Sequence, residues 1–166
     1  MLTGIVLAGG DSTRMGQDKA LLYQNANRLI LELKAIGCTK VITLCGCPER
    51  AKLFDGECVP DTKDTLAETI HDVVSQIDGD IQLVPCDAYL ADSEFLASIS
   101  GVPLDDLGVR QPLMARLQGK FVLNHSTKIS DVFSEIKSCK GGIKARNVNT
   151  MEELREIQYL LMQENR

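Results

Sequence analysis

The sequence predicts a three-layer, doubly wound α/β fold with a mainly parallel sheet, and three observations lead there. Short apolar runs of strand length at residues 2–7, 40–45 and 81–84 alternate with stretches whose apolar residues recur at helical spacing, the order that builds βαβ units. Two of these runs end in residues suited to chemistry, Gly9-Gly10 after the first and Pro85-Cys86-Asp87 after the third; ligands of open α/β sheets bind at such carboxyl ends. Finally, 166 residues that are 44% hydrophobic and 25% charged can bury one sizeable core, so residues 1–166 are read as a single domain.

Composition also excludes. The net charge of −5, from 18 Lys+Arg against 23 Asp+Glu, leaves no cationic surplus to displace counterions from a duplex, so nucleic acid is not the expected main partner. No apolar run approaches the ~20 residues needed to cross a bilayer, and no membrane partner is expected. Six cysteines (38, 45, 47, 58, 86 and 139) occur without a signal peptide, which points to a reducing, cytoplasmic setting. The Cys45-Gly46-Cys47 spacing is too close for a structural zinc site, so the thiols are expected to be small buried hydrophobes.

In chain order, the apolar run at 2–7 breaks at Ala8-Gly9-Gly10, and a polar stretch with Arg14 and Lys19 follows. Glycines free of Cβ let successive N–H groups converge on an anion. Arg14 adds a planar fork and Lys19 a point charge for phosphate oxygens. The stretch is therefore a phosphate cradle, set against the plainer alternative of a tight turn flanked by solvated charges. It is neither a Walker A loop nor a dinucleotide fingerprint, since Gly16 precedes Gln17-Asp18-Lys19 and no G-x-G-x-x-G occurs.

Ala26, Leu29, Ile30, Leu33 and Ile36 repeat at helical spacing and Gly37 closes that helix. A strand at 40–45, a short helix at 48–54 and a brief strand at 57–60 come next. Asp61 then stands at a strand's carboxyl end, either to accept from a base or ribose or to serve as a turn or N-cap residue. A helix at 65–77 packs through Leu66, Ile70, Val73, Val74 and Ile77, and His71 on its flank is given no chemistry. The strand at 81–84 delivers Asp87, while Asp92 or Ser93 caps a helix at 94–99. Residues 102–107 read as a proline-bearing loop, 110–117 as a strand interrupted by Pro112, and 121–123 as a further strand. An amphipathic helix is expected at 129–138 and a turn at 140–142. A last helix opens at Thr150 with Glu153 as a capping box and is lined by Met151, Leu154, Ile157 and Leu161.

Leu7-Ala8-Gly9-Gly10-x-Ser12-x-Arg14-Met15-Gly16-x-Asp18-Lys19-Ala20-Leu21-Leu22, Pro85-Cys86-Asp87 and Asn147-Val148-Asn149-Thr150 together resemble the motifs of the MobA-like nucleotidyltransferases, the molybdenum cofactor guanylyltransferase family. The likeness runs from about residue 5 to 158. It is broken by a trimmed connection near 22–27 and by Asp64-Thr65-Leu66-Ala67-Glu68, where the family has a Gly-Pro-Leu-x-Gly turn, as in a shortened member. The resemblance implies the nucleotide-diphospho-sugar transferase-like version of the fold. It implies transfer of GMP from GTP to molybdopterin-type cofactor with release of pyrophosphate. By the same resemblance, Leu7, Ala8, Gly9, Gly10, Lys19, Asp61 and Asp87 contact nucleotide, and Arg14, Lys19 and Asp87 carry catalysis. Asp87 also binds Mg2+, Asn147 and Asn149 approach the acceptor, and Arg110 is placed to meet a pterin phosphate unless it is only an exposed edge arginine. Transient contact with other molybdenum-cofactor proteins would follow. A relative using CTP, a cobinamide phosphate or a sugar phosphate stays open, as does a nucleotide-binding homologue without turnover.

Overall fold

The computed structural model describes residues 1–9 and 19–164, and within them no side chain of residues 19–23. Three of the expected cradle features, Gly10, Arg14 and the Lys19 side chain, lie outside the described residues. Among those described, the strands are β1 (Leu2–Leu7), β2 (Lys40–Gly46), β3 (Glu57–Pro60), β4 (Asp80–Pro85), β5 (Val102–Asp105), β6 (Arg116–Leu117) and β7 (Ser138–Gly142). The α-helices are α1 (Lys19–Ala35), α2 (Leu66–Ser75), α3 (Ser93–Ser98), α4 (Ile129–Val132) and α5 (Met151–Glu164).

Five strands form the main sheet in the order β3-β2-β1-β4-β6, parallel except for β6. Pleating sends alternate side chains to opposite faces, and both faces are buried. Val6, Cys45 and Val84 pack with Ala26, Leu29, Ile30 and Leu33 of α1 and with Phe95 and Leu96 of α3. On the other face Ile5, Leu7, Ile42, Leu44, Ile81 and Leu83 meet Ala67, Ile70, Val73 and Val74 of α2, together with Val132 and Phe133. This is the expected three-layer, mainly parallel arrangement. It explains why β1 and β4 read as near-continuous apolar runs rather than as alternating ones.

The helix termini follow local chemistry. Gly37, at φ +100°, ends α1, with Gly37 N–H donating to Lys34 O and Cys38 N–H to Leu33 O, the paired bonds of a Schellman cap. Thr65 Oγ1 accepts from Glu68 N–H at 3.2 Å to start α2, and Asp92 Oδ1 accepts from Phe95 N–H at 2.9 Å to start α3. Thr150 Oγ1 accepts from Glu153 N–H at 3.1 Å at the head of α5. There the return bond of the expected capping box goes instead to Asn149 N–H, at 2.8 Å from Glu153 Oε2.

The second half departs from expectation. Residues 102–107 hold a strand, β5, which pairs in parallel with β7 in a separate two-stranded sheet, so the expected turn at 140–142 is part of a ladder. Pro103 is tolerated because β5 is short and at an edge. The expected interrupted strand at 110–117 reduces to a 3₁₀ turn, Pro112–Met114, and the two residues of β6. Phe121-Val122-Leu123 makes no strand. The helix expected at 129–138 stops at Val132, where Arg110 Nη2 takes the carbonyls of Phe133 and Ile136 at 2.9 and 3.0 Å. With those bonds and one to Ser138 Oγ, Arg110 is half-buried rather than the exposed edge arginine of one reading, and it braces the end of α4. Cys38, Cys45 and Cys86 are buried as expected, but Cys47 is exposed. None of the described helices is long and apolar enough to cross a membrane.

Candidate nucleotide site at the carboxyl edge

Strand order determines where a ligand fits. From β1 the chain passes through α1 to β2 on one side, then reaches β3, and after α2 returns to the opposite side of β1 as β4. The helices α1 and α2 therefore lie on opposite faces, and by the rule for open α/β sheets the ligand crevice falls beyond the carboxyl ends of β1 and β4, at the topological switch point. Leu7 pairs with Pro85 and Leu44 in register, and Cys86 N–H donates to Leu7 O at 2.9 Å. Ala8-Gly9 and Cys86-Asp87 thus leave neighbouring strands at the same level.

Asp61 comes to that edge from β3. Its N–H donates to Gly46 O at 2.8 Å, and its Oδ1 lies 3.6 Å from where a Cβ on Gly9 would stand. That same Cβ would lie 3.0 Å from both Cα and N of Gly46, so a side chain at position 9 would crowd the Gly46 backbone. Burial raises the pKa of Asp61. The N-cap alternative for Asp61 is removed, because Thr65 caps α2.

Asp87 is half-buried in the turn between β4 and α3. Burial raises its pKa, offset in part by a backbone hydrogen bond, and it caps no helix, since Asp92 caps α3. The neighbouring Cys86 thiol is pushed up to about 12, chiefly by burial and next by the Asp87 charge, which rules it out as a nucleophile at neutral pH.

Two residues that sequence reasoning missed hold this turn. Asn25 Nδ2 donates to Cys86 O at 2.6 Å. Arg28 donates through Nη1 to Ala91 O at 2.6 Å and through Nη2 to Ala88 O and Tyr89 O at 3.1 and 3.3 Å. Its Nε donates to Asn25 Oδ1 at 2.8 Å. Asn25 and Arg28 stand one turn apart on the α1 face that carries Ala26 and Leu29, and a polar pair in that register was the available signal. Lys19, the first residue of α1, lies six helical steps, about 9 Å at 1.5 Å per residue, from Asn25, which is anchored at residue 86.

Asn147 is exposed and Asn149 half-buried. Both line a cleft of about 450 Å³ with Asp105, Gln111, Glu153 and Glu156. Val148 between them is fully buried, in a cluster against which Tyr89 and Leu90 pack, two and three residues past Asp87. Val148 is thus packed beside the 87–92 turn, whereas the cleft that the asparagines line contains none of Gly9, Asp61 and Asp87. A larger cavity of about 650 Å³, lined by Arg116, Lys120, Phe121 and Ile136, contains none of these residues.

The donor set suits a hard divalent cation held jointly with substrate. Among the described residues no group of three or more His, Cys, Asp or Glu could hold a metal alone. A single desolvated carboxylate, Asp87, is the kind of donor that Mg2+ takes alongside phosphate oxygens.

A family model described as MobA-like NTP transferase domain matches residues 4–103, which includes Gly9, Asp61 and Asp87 and ends before Asn147. A molybdenum cofactor guanylyltransferase from Xanthomonas euvesicatoria is 44% identical over 57 residues, covering 32% of this chain and 30% of that protein. The matched stretch is thus under a third of that relative's length. Among solved structures, a nucleotidyl transferase from Methanothermobacter superposes with a TM-score of 0.64 at 13% identity, over 98% of this chain and 99% of that one. The bifunctional IspDF of Campylobacter jejuni gives a TM-score of 0.66 at 17% identity, over 93% of this chain and 53% of that one. At those identities the likeness is one of fold.

Proposed function

The chain belongs to the MobA-like NTP transferase domain family, and from that premise we propose that it transfers GMP from GTP to the terminal phosphate of a molybdopterin-type acceptor and releases pyrophosphate. The observation that carries the proposal is the switch point itself. Gly9, Asp61 and Asp87 reach one carboxyl edge from three parallel strands.

In this scheme an acceptor phosphate oxygen attacks the α-phosphorus as the bond to the bridging oxygen of the β-phosphate breaks, and pyrophosphate leaves with that electron pair. The nucleophile already carries negative charge, so no side chain has to deprotonate it. The site has to overcome repulsion between two anions, by positioning and charge neutralisation. Backbone from Leu7 through Ala8 and Gly9 to Gly10, with Arg14, receives the phosphates. Lys19 offsets charge growing on the leaving group. Asp61 accepts from the base or ribose, and Asp87 holds Mg2+, which when bound neutralises phosphate oxygens. Asn147 and Asn149 orient the acceptor in their cleft, and residues 1–166 act as one domain.

Lys19→Ala and Asp87→Ala are each expected to lower pyrophosphate release from GTP and molybdopterin by about 10²- to 10³-fold, with the circular dichroism of the wild type. Normal turnover in either variant removes the scheme. Thermal shifts with GTP, CTP, ATP and UTP in Mg2+ test the base, since a bound nucleotide raises Tm by mass action. The largest shift is expected with GTP, and a larger one with CTP would reassign the donor.

A further inference from the structure

We propose that Arg50 is a positioning residue of the nucleotide site, braced on Ala8 O, one residue past β1, and on Cys45 O, the next to last carbonyl of β2, so that it aims the Gly9 amide into the crevice. This rests on the reading of that crevice as the nucleotide site. Arg50 belongs to a 3₁₀ turn, Pro48–Leu53, that begins two residues after β2. Its Nε donates to Cys45 O at 3.0 Å and its Nη2 to Ala8 O at 2.8 Å. The Phe54 ring, 5.8 Å from Cζ, packs against the guanidinium. One planar fork therefore spans the ends of two neighbouring strands, a geometry that suits arginine and that lysine cannot reproduce.

The local backbone explains why a brace is needed. The ladder between β2 and β3 shifts register between Leu44 and Gly46, which takes Cys45 out of regular pairing. Gly46, at φ +84°, then presses against Gly9, and a Cβ on Gly46 would come within 3.1 Å of both Cα and O of Gly9. Ala8 N–H donates to Leu44 O at 2.8 Å. With its C=O held by Arg50, Ala8 has both backbone polar groups tied. In a trans peptide the C=O and the following N–H point in opposite directions. Fixing Ala8 O on Arg50 thus turns the Gly9 N–H away from Arg50, and an N–H so oriented is what an anion site at a glycine bend requires.

The test compares wild type, Arg50→Gln and Arg50→Lys with Lys52→Ala, an exposed cation of the same turn. Binding of GTP and of guanosine is measured by calorimetry in Mg2+. Arg50→Gln is expected to weaken GTP binding about tenfold, the loss of roughly one well-aimed hydrogen bond. Guanosine, which has no phosphate, is expected to change less than about twofold on the same scale, and Lys52→Ala to change neither ligand. Arg50→Lys keeps the charge but reaches one carbonyl only, and is expected to recover less than half of the lost binding free energy; it carries the comparison if Arg50→Gln does not fold. Equal losses for GTP and guanosine would make Arg50 merely structural. Wild-type GTP affinity in both variants, or full recovery in Arg50→Lys, would also overturn the proposal. A wild-type protein that binds none of GTP, CTP, ATP and UTP would instead refute the nucleotide site on which it rests.

Discussion

Consider the replacement of Arg28 by alanine. Its guanidinium is the clamp between α1 and the turn that carries Asp87, and each lost contact can be weighed. The bond to Ala91 O at 2.6 Å and the shared pair to Ala88 O and Tyr89 O amount to two charged-donor bonds, worth about 1.5–3 kcal/mol each. Ala88 and Ala91 are buried, so their carbonyls are poorly placed to find water. The bond to Asn25 adds roughly 1 kcal/mol. The pairing with Glu32 at 3.8 Å is part-exposed and adds less than about 1 kcal/mol. Against this, the freed side chain regains up to about 2 kcal/mol of rotamer entropy. The expected net loss is about 3 kcal/mol, or about 6–12 °C in Tm for a chain of this size. Urea unfolding of wild type, Arg28→Ala, Asn25→Ala and the double variant measures it, with a coupling of about 1 kcal/mol expected between the two positions. A loss below about 1 kcal/mol would show that the clamp contributes little to holding the turn, and additive effects would show that Asn25 and Arg28 act separately.

Other expectations follow from the same edge. Asp87→Asn removes a desolvated charge and is expected to raise Tm at pH 7 while nucleotide transfer falls. Because burial raises the Asp87 pKa above its unfolded value, the native state keeps the proton longer. The stability this contributes is fully present below the unfolded carboxylate pKa of about 3.9 and is lost as pH rises through the higher folded value. Urea melts of wild type and Asp87→Asn at pH 4 and pH 7 should therefore show wild type losing ground to the variant as pH rises, and the opposite trend would contradict the assignment. Gly9→Ala brings a Cβ to 3.0 Å from the Gly46 backbone and is expected to cost about 1–3 kcal/mol by overpacking, read as a lower urea midpoint. Thr65→Ala removes the acceptor for Glu68 N–H and is expected to cost about 1 kcal/mol, with guanosine and GTP affinity unchanged.

The first half of the chain was legible because its signals are local. β1, β2 and β4 are runs of six or seven residues largely buried on both faces, so their composition announces them; Gly37 marks a helix end by its positive φ, and Thr65 and Asp92 mark helix starts by side-chain bonds to the N–H three residues on. The second half depends on distant partners. β5 exists because Val102 and Leu104 meet Ser138 and Lys140 across more than thirty residues, and Pro103 with Gly141-Gly142 concealed both strands. The helical period of Ile129, Val132, Phe133 and Ile136 is real, yet Arg110 takes the carbonyls that a longer helix would use. Arg50 was invisible for the same reason, since it bonds to carbonyls on other elements and a carbonyl leaves no trace in a sequence; Asn25 and Arg28 left only their polar pairing on an apolar helix face, which does not name the carbonyls they reach.

What the sequence determined by itself was the set of strands and helices of the first hundred residues, the family motif at the amino terminus, and the candidate residues Gly9, Asp61 and Asp87. Tertiary structure decided which strand ends are neighbours. Because β1 stands between β2 and β4, α1 and α2 cover opposite faces, and residues up to 78 positions apart meet at one edge. The physical reason is that strand composition records how much apolar surface must be covered, whereas strand order is set by which pairing buries both faces at once.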